Sequence, residues 1–156
     1  MFRAHHRSVE RFVAVRYPTV DGGDLVALTF EVAWRRFDDA PIEAVRGWLF
    51  GIARNHARNA IRRRRRQRSL VAVLATEEGR RASRLHDELL PVEVAERLAK
   101  ALRQLSDNDR EVIELAAFAG VSGADLGAAL GVSAGTASVR LHRARQRLAN
   151  LYEVGR

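Results

Sequence analysis

The chain contains no cysteine, which removes disulfides, thiolate metal sites and cysteine nucleophiles at once and fits a reducing compartment. Proline occurs three times, as Pro18, Pro41 and Pro91. Between these breaks the apolar residues recur at spacings of three and four rather than alternating, so helices are expected and strands are not. No apolar run approaches the roughly 20 residues of a membrane-spanning helix, and the opening MFRAHHRSVERF lacks the apolar centre of a signal peptide. A cytoplasmic protein without membrane contact is the expectation. The histidines (His5, His6, His56, His86, His142) show no metal-ligand spacing beyond the adjacent pair, and neighbours on a helix do not face one another. No Ser/His/Asp order, glycine-rich phosphate loop or paired-carboxylate site stands out. No catalytic residue, metal or cofactor is therefore assigned, and no enzyme is expected.

The chain does have arginine, and it is unevenly placed. Lys100 is the only lysine among 27 basic residues, and the net charge is +8. Residues 1–43 carry 6 basic and 7 acidic side chains, 44–70 carry 9 and 0, 71–125 carry 7 and 11, and 126–156 carry 5 and 1. A biased genome can explain arginine richness but not this segregation. Two basic segments divided by an acidic one suit two contacts on a long polyanion such as DNA. The 156 residues, 47% of them hydrophobic, are enough for one ordinary domain or two small ones.

The punctuation predicts an all-α protein. A first helix runs through HHRSVERFVAVRY towards Pro18, and a second through DLVALTFEVAWRRF, with Asp24 in its first turn, where a carboxylate meets the positive end of the helix dipole. Its expected core stripe is Val26, Phe30, Ala33 and Phe37. Pro41 suits the start of a third helix that continues from about Ile42 into the arginine run IRRRRRQR, with Leu49, Ile52, Ala53, His56 and Ala60 as its buried stripe. The run thus extends a packed helix. Trp48 is expected to pack rather than stack on a ligand. Residues 69–92 read as a partly helical linker. After it, VEVAERLAKALRQL is amphipathic. Ser106, with Asp109 three residues on, caps DNDREVIELAAFA, and Gly120 ends that helix. Ser122 and Gly131 bracket GADLGAAL, and Ser133 caps the last helix. A short helix, a tight glycine turn and a longer helix form a helix-turn-helix pattern. With Ala137, Leu141, Ala144 and Leu148 buried, Gly135, Ser138, Val139, His142 and Arg143 face solvent, as a groove-reading helix needs. An ordinary solvated helix face fits the same spacing.

The stretch ALRQLSDNDREVIELAAFAGVSGADLGAALGVSAGTASVRLHRARQRL resembles the C-terminal DNA-binding region of bacterial sigma factors of the extracytoplasmic-function group. DLVALTFEVAWRRF resembles the polymerase-binding helix of that group, and WLFGIARNHARNAIRRRRR its promoter-melting helix, in the same order. The resemblance covers roughly two thirds of the chain. It implies two small helical domains, residues 1–68 and 93–156, joined by the linker, the second carrying the helix-turn-helix. It also implies a promoter-specificity subunit whose partners are core RNA polymerase and promoter DNA, with an anti-sigma factor as a further candidate.

By position, the resemblance assigns Asn55, Arg58, Asn59, Arg62 and Arg63 to the opened minus-ten element. Thr136, Ser138, Val139, Arg140, His142 and Arg143 fall to the duplex minus-thirty-five element. Asp24, Ala27, Leu28, Glu31 and Arg35 would bind polymerase. Asn55 and Asn59 lie four apart on one helix face, and each amide both donates and accepts. For Arg65, Arg66 and Arg68 a phosphate contact and a solvated helix end remain equal alternatives. The sequence departs from the group at Ala27 and Leu28, where polar and acidic residues are usual, and at Ser138 and Val139, often arginine and serine. Two other readings stay open: a free-standing helix-turn-helix regulator that dimerises through its N-terminal helices, and an interaction protein that uses the strip around Leu28.

Overall fold

The computed structural model describes residues 2–70 and 91–154. Among them are seven α-helices: α1 (His6–Arg16), α2 (Gly22–Arg35), α3 (Val45–Leu70), α4 (Val92–Gln104), α5 (Asp107–Phe118), α6 (Gly123–Leu130) and α7 (Ala134–Val154). The described residues contain no strand. The linker expected over 69–92 falls mostly outside the described residues, but Ser69 and Leu70 complete α3 and Val92 opens α4.

Local chemistry sets the helix ends. Asp21 stands before α2 and its carboxylate accepts the Asp24 amide at 2.9 Å, so the cap is Asp21 and Asp24 supplies first-turn charge. Pro41 leads into a single 3-10 turn, Ile42–Ala44, that feeds α3. Ser106 accepts the Asp109 amide at 3.2 Å and Ser133 accepts the Thr136 amide at 3.1 Å, each relieving one unpaired donor of a first turn. Ser122 precedes α6 as expected but makes no side-chain cap. The Arg110 guanidinium covers the end of α4 by donating to the Leu102 and Arg103 carbonyls at 2.9 and 3.0 Å.

Both halves of the chain contribute to one apolar core. Val9, Phe12, Leu49, Phe50 and Ala53 from the first half join Val112, Leu115, Leu126 and Ala129 from the second. Trp48 packs against this core, as expected. On α3 the buried positions are Leu49, Ile52, Ala53 and Ala57, while His56 and Ala60 are half-buried at the border. Phe37 is a correction: it is 49% exposed. α2 ends at Arg35, and the chain turns into a 3-10 turn over Phe37–Asp39, braced by Arg36 and Asp39 at 3.1 Å. Phe37 thus leaves the helical stripe, which consists of Leu25, Val26, Thr29 and Ala33. Thr29 is buried without penalty because its hydroxyl donates to the Leu25 carbonyl at 2.6 Å.

The tightest approach is α3 on α6. A Cβ added to Gly47 would lie 1.9 Å from the Asp125 carbonyl oxygen, and one on Gly51 would lie 3.0 Å from that of Ala128. Two glycines one turn apart let the backbones meet where any side chain would hold them off. Here too the Gly47 amide donates to the Asp125 carboxylate at 2.9 Å.

The turn between α6 and α7 rests on Gly131, whose φ of +69° lies in the left-handed region that glycine enters without steric cost. A Cβ there would meet nothing within 4 Å, so any cost of adding one is conformational. Gly131→Ala is expected to destabilise the fold by about 1–2 kcal/mol, measured by urea unfolding, with helix content at zero denaturant unchanged.

Candidate nucleic-acid interface

Two surfaces carry the residues expected to meet nucleic acid. The first is the exposed side of α3. Asn55 and Asn59 are both solvent-exposed, as are Arg62 and Arg63. Their chemistry suits an unpaired strand: amides for base edges, guanidiniums for phosphates. Arg64 turns back to donate to the Thr19 carbonyl in the α1–α2 connection, so one member of the arginine run is structural. Arg58 is only part-exposed and lies 3.9 Å from the Glu111 carboxylate, beside Arg54 at 2.7 Å from the same group.

Glu111 is the feature that sequence reading missed. It is one of two buried polar residues among those described, at 4% exposure. It sits on α5, in the acidic stretch, 53 residues from Arg58 by number, so no local spacing could reveal the pair. Tyr17 belongs to the same cluster. Burial pushes its hydroxyl up to about 12, against the pull of Arg16 and with Glu111 adding to the rise. Nearby, Glu114 is paired with Arg16. Burial raises its carboxyl above the usual range despite the opposing pull of Arg16 and Arg110.

The second surface is the outer face of α7. Gly135, Thr136, Ser138, Val139, Arg140, His142 and Arg143 are all exposed, while Ala137 and Ala144 are fully buried. The helix is held in place from both ends. Near its start, Ser133 donates to the Thr136 hydroxyl at 2.9 Å. Further along, Arg147 donates to the Asp109 carboxylate at 2.6 Å, and at the end Arg97 lies 4.2 Å over the Tyr152 ring. Val139 is the one large apolar side chain among the predicted residues of this face, 51% exposed.

The residues expected to meet polymerase lie along α2. Asp24 and Ala27 are exposed, Leu28 is half-buried, and Glu31 and Arg35 are exposed and paired with each other. Leu28 is therefore less prominent than its spacing implied. More apolar surface stands at Trp34, 74% exposed. Ala27, Phe30 and Trp34 are spaced three and four, which at about 100° per residue makes a second edge beside the core stripe. That signal was available in the sequence. The edge borders a groove of about 400 Å³ between α1 and α2 that includes His6, whose ring stacks on Phe30 at 5.1 Å.

Among the described residues no group of three His, Cys, Asp or Glu is placed to hold a metal ion, and no helix is long and apolar enough to cross a membrane.

An arginine-rich helix with exposed amides and a helix-turn-helix on one chain are features that suit a DNA-directed protein. Comparison with known proteins names the class. Residues 1–67 match the sigma-70 region 2 family and residues 95–148 the sigma-70 region 4 family. The RNA polymerase sigma factor CnrH of Cupriavidus metallidurans is 35% identical over 144 residues, covering 87% of this chain and 75% of that protein. NccH of Alcaligenes xylosoxydans xylosoxydans, also an RNA polymerase sigma factor, is 33% identical over 140 residues with the same coverage, 87% and 75%. Among solved structures, the sigma factor RpoE of Bartonella quintana, in complex with the anti-sigma factor NepR, superposes with a TM-score of 0.63. It is 28% identical and covers 99% of this chain and 96% of that one. CnrH in complex with the cytosolic domain of CnrY gives a TM-score of 0.59 at 29% identity, covering 97% and 84%. The chain belongs to the sigma-70 family, in its extracytoplasmic-function group. It is a sigma subunit, a regulatory protein that directs transcription initiation.

Asp109 supplies a pH test of the α5–α7 tie. Partial burial would raise its carboxyl, but hydrogen bonds from Arg147 and Ser106 outweigh this and hold it below the ordinary 3.8. A depressed folded value means stability that is full above the unfolded pKa and lost as pH falls through the folded one. Asp109→Asn is expected to unfold at lower urea than the parent at pH 7. The difference should shrink as pH is lowered below the ordinary carboxylate range.

Proposed function

We propose that α3 captures the opened minus-ten strand while the outer face of α7 reads the minus-thirty-five duplex, with α2 holding core RNA polymerase. The domains that do this are residues 1–68 and 93–156. The observation that carries the reading is that Asn55 and Asn59 are exposed, one turn apart, on the same helix as the exposed Arg62 and Arg63. Melting needs hydrogen-bonding groups that compete for bases together with charge that holds the backbone, and this helix presents both. The duplex face presents small residues near the start of α7 and arginines behind them, which suits close entry into a major groove. On α2, the apolar edge of Ala27 and Trp34 compensates for the missing polar residues at Ala27 and Leu28, and polymerase binding is correspondingly apolar. The sigma relatives in the two solved complexes are bound to NepR and to the cytosolic domain of CnrY. An anti-sigma factor is accordingly a natural partner for this chain. The protein works in the cytoplasm, where polymerase and chromosome are.

Transcription in vitro with core polymerase on a promoter library is the direct test, and start-site selection is the expected result. Tight binding to duplex alone, with no effect on polymerase, would favour a free-standing regulator.

Asn55→Ala is expected to slow promoter opening, followed with permanganate, while closed-complex affinity changes little. Equal loss in both would remove its assigned role.

On the duplex side, Arg143→Ala should reduce the slope of log affinity against log salt by about one unit. An apolar side chain among polar ones on a groove-reading helix matches a thymine methyl. Replacing thymine by deoxyuridine at one position of the selected minus-thirty-five element should therefore weaken binding by the parent. It should have little effect on Val139→Ala.

A further inference from the structure

We infer that Arg64 is a positioning residue for nucleic-acid binding. Its bond to the Thr19 carbonyl fixes the rotation of the arginine half of α3, so that Asn55, Asn59 and Arg62 face outward together, while Arg64 itself meets no phosphate. The tie stands on the contact. Its effect on strand binding rests in addition on the reading of α3 as the strand-binding helix.

Three observations converge on it. The first is helical phase. At about 100° per residue, Arg64 lies about 180° round the helix from Asn55, whereas Arg62 lies about 20° and Asn59 about 40° from it. The observed burial agrees with this phase: Ala53 and Ala57, on the Arg64 side, are fully buried, while Asn55, Asn59 and Arg62 are exposed. A bond that draws Arg64 towards the body of the protein therefore turns the two amides and Arg62 away from it.

The second is the state of the helix end. Packing of α3 against the core closes with Ala57 and the half-buried Ile61. Residues 62–67 are all exposed, and the helix continues to Leu70, roughly 13 Å past Ile61 at about 1.5 Å per residue. Residues 62–66 are all arginine. Like charges three and four apart weaken a helix, and the helix dipole offsets this only over the last turn. A solvated cationic end of this kind frays unless it is held.

The third is the receiving group. Thr19 lies in the connection between α1 and α2, a turn closed by the Val20 amide donating to the Tyr17 carbonyl at 3.0 Å. On one side Tyr17 is buried edge-on against Phe12, and on the other Asp21 caps α2. The Thr19 carbonyl is therefore a fixed point. The long arginine stem spans from the helix to this point and delivers a charged donor, a stronger bond than a neutral one. A guanidinium held at the back of α3 is out of reach of a strand lying along Asn55 and Asn59.

Two measurements on the full-length chain test this. Because there is no native cysteine, a nitroxide on Gln67→Cys, an exposed position, reports motion of the helix end without DNA. Arg64→Met, which keeps the stem and loses the donor, should raise nitroxide mobility, and Arg64→Lys, which can still donate to the carbonyl, should restore most of the parent's order. In unlabelled chains, affinity for a random-sequence single-stranded DNA 12-mer, measured by anisotropy, should fall about threefold in Arg64→Met, the order of one hydrogen bond. It should recover in Arg64→Lys, and Arg64→Met should keep the parent's slope of log affinity against log salt. Arg62→Gln, by contrast, should lower that slope by about 0.7, as loss of a phosphate contact does. Unchanged mobility or unchanged affinity in Arg64→Met would overturn the positioning role, as would failure of lysine to rescue either. A slope in Arg64→Met as low as that of Arg62→Gln would overturn it in favour of a direct phosphate contact. A wild type that ignores the 12-mer while the nitroxide responds would instead remove the strand-binding reading of α3, and with it the functional half of the inference.

Discussion

Everything in this molecule is arranged around two helices whose backbones touch. Where α3 meets α6, Gly47 and Gly51 remove the side chains that would otherwise set the spacing. That contact brings Glu111 of α5 under Arg54 and Arg58 and lets Leu49, Phe50, Leu126 and Ala129 share a core. A buried carboxylate without its arginines would be costly, and Arg54, itself 14% exposed, has Glu111 as its partner. The steric fit and the ion cluster therefore stand or fall together.

Charge has two uses along α3. Towards its middle, Arg54 and Arg58 are turned inward to Glu111, and Arg64 reaches back to Thr19. Arg62 and Arg63 remain directed to solvent. Exposed arginines provide long-range attraction for anions that salt screens, while the inward ones are paired with an acid of the same chain. The acidic stretch between the basic segments is thus more than a spacer.

The α7 face follows a different logic. It is fixed by ties to its neighbours, Arg147 to Asp109 and Arg97 to Tyr152, and its outer side chains are exposed. Rigid support behind an open face favours shape-specific reading, since little ordering remains to be done on binding. The small residues near its start and Val139 among them give it a more apolar surface than arginine at those positions would.

Local signals in the sequence determined the helices, their caps at Ser106 and Ser133, the glycine turn before α7 and the exposed amides on α3, because each depends on a few residues close in number. The same spacing rule revealed Leu49 and Ala53 as core. It misjudged Phe37, since a helix that stops two residues early carries its stripe no further, and it passed over the edge of Ala27, Phe30 and Trp34 beside a stronger stripe. Only the tertiary structure decided that Glu111 serves Arg54 and Arg58, that Gly47 and Gly51 are contact residues rather than mere flexibility, and that Arg64 is spent on Thr19. These are pairings across the chain, and composition or period cannot encode them: which acid finds which arginine depends on how helices pack, and packing is settled by shape at a distance in sequence.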